Sequence, residues 1–263
     1  MKMNFFIVTL DCLRFDTTQI AKTPNFHSLF AKYSQMKDWV QVGAHGTYTL
    51  PSHIALFHDG RTPANNDPRL PGPYNRNKEI LFRPELAWRE KDATYPTPEA
   101  PNIVKGFDKL GYRTVGIGGV SWFSDRFETS DLWAKNYFQE FYWKPEYADN
   151  NMNNFENQIE KAKEILANHD QNVPLFFFIN VASCHTPYMN NDPNVEGQAR
   201  CLEYIDDNIM RVVNDLPKPV HVLFMADHGE CFGEDGNWGH AIYHPKVLEI
   251  PMQSFIIPKE ENN

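Results

Sequence analysis

Three stretches of this chain end an apolar run on groups that bind metals or carry charge. Val222-Leu-Phe-Met-Ala runs straight into Asp227-His228-Gly229-Glu230, and Phe5-Phe-Ile-Val-Thr-Leu runs into Asp11. Gly46-Thr-Tyr-Thr-Leu-Pro-Ser-His sets hydroxyls just ahead of a proline. A short, fully apolar run reads as a buried parallel strand, and the carboxyl edge of such strands is where open α/β sheets collect their chemistry. Two carboxylates (Asp11, Asp227), an imidazole (His228) and a hydroxyl are then candidate donors for one metal centre. Any one stretch alone reads equally well as a strand ending in a polar turn, with Gly229 making the turn. Their recurrence points to a site. Pro51 at a first helical turn, followed by Ile54, Ala55, Leu56 and Phe57, predicts a short helix whose N-terminal amides face Thr49, a cradle for an anion.

The elements that must position these groups alternate between strand and helix. Strands are predicted over residues 5–10, 38–43, 112–117, 175–181, 220–225 and 250–257; helices over 24–36, 100–110, 154–168 and 196–216. Gly111 closes the second of those helices. The strand at 175–181 opens into Ser183-Cys-His-Thr-Pro, and Trp238-Gly-His-Ala precedes the last strand. Residues 60–100, rich in Pro, Asn and Arg, show no period and read as a long excursion able to form a lid or one wall of the pocket. The aromatic run over 121–148 reads as packing rather than a ligand box. The expected architecture is α/β, one domain over residues 1–263, with a mostly parallel central sheet and helices on both faces.

At 263 residues and 41% hydrophobic content the chain can bury one large core. A net charge of -9 without a Lys/Arg cluster argues against nucleic acid or an anionic membrane as partner. An anionic substrate then needs local positive charge, which a metal ion supplies. No apolar segment reaches the roughly 20 residues that span a bilayer, and the opening MKMNFF passes directly into a strand, so a cytoplasmic location is expected. Cys12, Cys184, Cys201 and Cys231 lack paired zinc-ligand spacing and read as free thiols.

Four stretches, in order, resemble the sulfatase and alkaline phosphatase superfamily. Val8-Thr-Leu-Asp-Cys-Leu-Arg-Phe-Asp looks like its first-strand metal motif, and Thr49-Leu-Pro-Ser-His like its nucleophile motif. His185-Thr-Pro-Tyr resembles the substrate-side element, and Asp227-His-Gly-Glu with Trp238-Gly-His the second metal motif with its trailing histidine. The resemblance spans essentially the whole chain, and it implies Thr49 as catalytic nucleophile and Asp11, Thr49, Asp227 and His228 as metal ligands. His185 and His240 are implied as substrate-binding hydrogen-bond donors.

The departures matter equally. Sulfatases of this superfamily carry Cys or Ser where Thr49 stands, for conversion to an aldehyde that threonine cannot give, and Arg where His53 stands. Thr49 resembles instead the nucleophile of the Thr-dependent phosphodiesterases and phosphotransferases, small cytosolic hydrolases included. The implied reaction is hydrolysis or transfer of a small anionic phosphoester. A sulfatase-like ester hydrolase and a catalytically silent domain binding a phosphorylated metabolite are the alternatives. Oxygen ligands with one imidazole suit one divalent ion, Mn, Zn or Mg, with Ca suited less. Two-metal members use a further Asp with two His. His185 and His240 are compatible with a second ion, but the strand end at Val181 lacks that Asp. Arg14 with Asp16 reads as a structural ion pair. His53 is balanced between support and surface, and His244 and Lys246 read as a solvated face.

Overall fold

The computed structural model describes residues 2–58, 102–124, 134–187 and 192–259. Near its centre runs β5 (Leu175–Val181), an inner strand in which all seven residues are buried. A strand covered on both faces must be apolar on both, which is why Leu-Phe-Phe-Phe-Ile carries no alternation. β5 pairs in parallel with β1 (Asn4–Leu10) on one side and β3 (Arg113–Ile117) on the other. Beyond β1 lie β6 (Val220–Ala226), parallel, then β9 (Glu249–Ile257) and β2 (Val40–Gly43). β4 (Glu140–Tyr142) closes the far edge. Only β9 runs against its neighbours, so the sheet is mostly parallel, as the sequence implies. β7 (Cys231–Phe232) and β8 (Trp238–Gly239) form a separate small ribbon.

The two faces of the sheet hold two apolar clusters. One unites Phe6, Val8 and Leu10 of β1 and Phe177, Ile179 and Val181 of β5 with helices α2 (Pro24–Tyr33), α6 (Asn154–Ala167) and α7 (Val195–Val213). These helices follow α1 (Phe15–Thr18), a single turn after β1. The other cluster sets Phe176 and Phe178 against Leu50, Ile54 and Phe57 of α3 (Thr49–Phe57) and Val104 of α4 (Ile103–Lys109). Two short helices, α5 (Ala134–Tyr137) and α8 (Pro245–Leu248), complete the described elements used below.

Where expectation and structure differ, local hydrogen bonding decides. The helix expected over 24–36 stops at Tyr33, because Ser34 turns extended and bonds Gln253. The helix expected over 100–110 starts at Ile103, where Asn102 accepts the amide of Lys105 at 2.8 Å. Thr49, expected just ahead of its helix, is the first residue of it. The lid or wall expected over 60–100 lies outside the described residues. Of the aromatic run, Phe123, Tyr137 and Phe138 are buried in the second cluster, with Trp122, Phe141 and Trp143 packed on its rim.

Phe177, fully buried on that inner strand, tests this account. Phe177→Ala should lower the unfolding free energy by about 3–5 kcal/mol, read from urea midpoints, through lost transfer energy and the cavity left behind. A loss below about 1 kcal/mol would remove β5 from the centre of the core.

Candidate metal centre

Strand register builds the site. Leu10 of β1 stands beside Ala226 of β6, so the next residue on each strand, Asp11 and Asp227, emerges next to the other at the carboxyl edge. Asp11 is pinned by its amide, which donates to the Val181 carbonyl of β5 at 3.0 Å. Thr49 enters from the second face, on the first turn of α3, where no side chain caps the helix. The preceding segment packs tightly on that turn: a Cβ on Gly46 would meet Ser52 backbone nitrogen at 2.7 Å. Glycine is what permits that approach.

Asp11, Thr49, Asp227 and His228, the four residues singled out as ligands, converge there and are all buried. Thr49 Oγ1 lies 3.5 Å from Asp11 Oδ2 and 3.5 Å from His228 Nε2. His228 Nε2 is 3.7 Å from Asp11 Oδ1 and 3.6 Å from Asp227 Oδ2. These separations are long for hydrogen bonds. They fit a shared ion: four ligands at about 2.1 Å in a tetrahedron stand about 3.4 Å apart. Asp227 Oδ2 is buried with no hydrogen-bond partner, the orphan a cation would satisfy. His228 donates its Nδ1 proton to the Gly229 carbonyl at 2.9 Å, so Nε2 presents its lone pair to the carboxylates. The residues present fit a divalent ion.

Supporting groups are equally specific. Asn180 Nδ2 donates to Asp11 Oδ2 at 3.0 Å and to Thr9 Oγ1 at 3.1 Å; Thr9 Oγ1 meets His53 Nε2 at 2.8 Å. His53 Nδ1 then bonds the Thr49 carbonyl at 2.8 Å. His53 is therefore a buried support for Thr49, resolving the balance left by the sequence. Asn180 is a supporting residue that the strand-end pattern does not point to; its one sequence signal is a lone amide inside Phe-Phe-Phe-Ile-Asn-Val. His185 Nδ1 sits 3.0 Å from Asp149 Oδ2, and His240 Nδ1 sits 3.2 Å from Glu230 Oε1. Asp149 had no sequence signal, since 36 residues separate it from its partner. Glu230 stood in the quoted motif without a role.

Arg14, 2% exposed, donates to Asp16 and to Glu234 Oε1, both at 2.5 Å, and to the Glu230 carbonyl at 3.3 Å, so the structural pair expected has two further partners. Lys246 reaches Asp16 at 2.7 Å, and the His244 ring caps α8 by accepting the Lys246 amide. Both have structural partners. The four cysteines are free and buried.

Fold and site together define an α/β protein of the alkaline phosphatase type. The Sulfatase family model matches residues 4–252, and the chain belongs to that family. No curated protein matches it by sequence. Among solved structures it is similar to the C-terminal periplasmic domain of the phosphoethanolamine transferase EptC from Campylobacter jejuni, at 15% identity and TM-score 0.60, over 97% of this chain and 80% of that one. The corresponding EptC domain from Escherichia coli, solved in complex with Zn, is similar at 12% identity and TM-score 0.58, over 97% and 72%. The lipoteichoic acid synthase LtaP from Listeria monocytogenes is similar at 12% and 0.61, over 99% and 66%. At such identities the likeness is one of fold.

Burial sets the charge states. It lifts Asp227 to about 6 against the pull of neighbouring amides, and raises Asp11, which Asp227 raises further. Burial, with His240, pushes His228 down to about 3, and burial holds His53 near 4, so both rings are neutral. Burial also opposes charge on His185. The hydrogen bond to Asp149 and the charge of Asp11 outweigh it, and His185 rises to about 10 from an ordinary 6.5. In chelated protein the folded state thus keeps a proton on His185 that the unfolded chain sheds above pH 6.5. That contribution is complete below pH 6.5 and is lost as pH rises toward 10. Urea midpoints of metal-free protein should fall between pH 6.5 and 9, the upper bound set where thiols begin to titrate. His185→Gln should flatten that slope; an unchanged slope would place the titration elsewhere.

Proposed function

We propose that the chain is a metal-dependent enzyme that hydrolyses or transfers a small anionic phosphoester through Thr49. One observation carries the reading: Thr49 Oγ1 is held 3.5 Å from both Asp11 Oδ2 and His228 Nε2, at the uncapped N-terminus of α3. Both contacts are long for the hydrogen bond that a structural threonine ordinarily closes, which supports a ligand role for the hydroxyl. Asp11, Thr49, Asp227 and His228 would hold a divalent cation, Mn, Zn or Mg, which when bound would lower the pKa of the Thr49 hydroxyl and offset phosphoryl charge.

The chain's own groups do the rest. His53 holds the Thr49 carbonyl and so fixes Oγ1 for in-line attack on phosphorus, the Thr49 hydroxyl proton leaving to solvent, and the dipole of α3 stabilises the charge that develops there. His185, protonated and held by Asp149, gives its proton to the leaving oxygen as the phosphorus–oxygen bond breaks. Neutral His185 then takes a proton from the water, or acceptor hydroxyl, that releases phosphate from Thr49. His240 contributes a further contact to the substrate. We extend the same reading to setting: four buried free thiols suit the cytoplasm, and the acidic net charge suits neither nucleic acid nor an anionic membrane as partner.

Turnover of p-nitrophenyl phosphate, bis-p-nitrophenyl phosphate and p-nitrophenyl sulfate separates phosphoester chemistry from a sulfatase and from a silent domain. Thr49→Ala should remove turnover almost completely, Thr49→Ser should keep part of it, and rapid quench should trap phosphate on Thr49. If Thr49→Ala retains more than about a tenth of the rate, under ~1.4 kcal/mol lost, water attacks directly and the covalent route is wrong. Metal analysis should find about one equivalent in the wild type and near none in Asp227→Ala.

A further inference from the structure

Cys12 follows Asp11 and is the one residue of the metal centre with a left-handed backbone, at φ 63°. A side chain other than glycine pays for that conformation, and such residues cluster where function holds them. The turn aims the thiol inward. Cys12 Sγ lies 3.6 Å from His240 Nδ1, and the ligand atoms of Cys12, His228 and His240 all fall within 4.8 Å of one another. A second observation points to a cation at this place. His240 Nδ1 donates to Glu230 Oε1 at 3.2 Å, which leaves its Nε2 to offer a lone pair, while Glu230 Oε2 is buried with no partner.

We propose that Cys12, His228 and His240 form a second, thiophilic metal position that cannot be filled together with the first. The reason for exclusion is the ring of His228. Its Nδ1 proton is committed to the Gly229 carbonyl, which leaves one lone pair, on Nε2, and both positions need it. Oxygen-preferring Mn or Mg takes the position of Asp11, Asp227 and Thr49. A strongly thiolate-preferring ion such as Cd takes the sulfur side and draws His228 away from Thr49. On binding there, the ion forms a bond to sulfur and the thiol proton leaves to solvent. Metal choice thereby becomes a choice between a working and a blocked site. This rests on the proposed function above, with Mn or Mg as the ion of the first position.

Mn-loaded protein, kept reduced with a phosphine, is titrated with cadmium. Two signals are followed: the ultraviolet cadmium–thiolate absorption, and the magnetic resonance of Mn released to water. The proposal expects the absorption to grow as Mn leaves, one for one, in the wild type. In Cys12→Ser the absorption should be absent and Mn retained over the same cadmium range. His240→Asn keeps the thiol and should weaken cadmium binding by more than about tenfold, the scale seen for losing even a supporting contact at a metal site. This second variant carries the test should Cys12→Ser fail to fold. Absorption without Mn release would overturn the exclusion; no absorption in the wild type, or the same absorption in Cys12→Ser, would overturn the site. Protein that holds no Mn at the outset, yet shows the absorption, would instead remove the reading of the first position while leaving the thiolate position standing.

Discussion

Two carboxylates side by side, both buried, are the constraint on which this structure turns. Parallel pairing of β1 with β6 forces Asp11 and Asp227 together, and none of the hydrogen bonds or ion pairs described for either brings in a lysine or arginine. Charges so placed must be neutralised by protonation or by a cation. Burial and mutual repulsion favour protonation, and the hydrogen bonds oppose it: Asp227 accepts the amides of Cys12 and His228, and Asp11 accepts the Asn180 amide. Each of those bonds favours the charged form. The carboxylates are thus kept ready for a metal ion, and the neutral ring of His228 completes the donor set.

That readiness is built on polar residues that break the apolar pattern of the central strands. Thr9 and Asn180 face each other in register across β1 and β5, where their neighbours are Val, Phe and Ile. Both are fully buried, and their bonds run from the Asp11 carboxylate through His53 to the carbonyl of Thr49. A buried network is worth keeping only when its members are satisfied, and then it fixes one geometry. Here it ties α3 to the sheet edge, so that the position of the hydroxyl follows from the position of the carboxylate.

The other side of the site hangs on Arg14. Its guanidinium bonds Asp16, Glu234 and the Glu230 carbonyl and lies over the Phe232 ring at 4.8 Å. The ribbon of β7 and β8 that carries the chain to His240 is held by these contacts. Gly229 meets Val247 through a 2.7 Å backbone bond, and a Cβ there would lie 2.1 Å from the Lys246 carbonyl, so the loop after β6 is pressed onto α8. Charged residues that read as a local pair or a solvated face are in fact the struts that bring distant loops over the metal centre.

The sequence by itself determined the layered α/β fold and the four convergent residues Asp11, Thr49, Asp227 and His228. The cause is local: apolar runs such as 175–181 can only be buried strands, and polar groups directly after such strands must appear at the carboxyl edge. Register and loop packing decided the rest. That Asn180 bonds Asp11, that Asp149 holds His185, that Glu230 faces His240 and that the Cys12 thiol turns toward that same ring depend on contacts between residues up to 228 positions apart. No periodicity encodes such pairs, because each partner satisfies its own local rules equally well without the other. Only the closing of the sheet brings them within bonding distance.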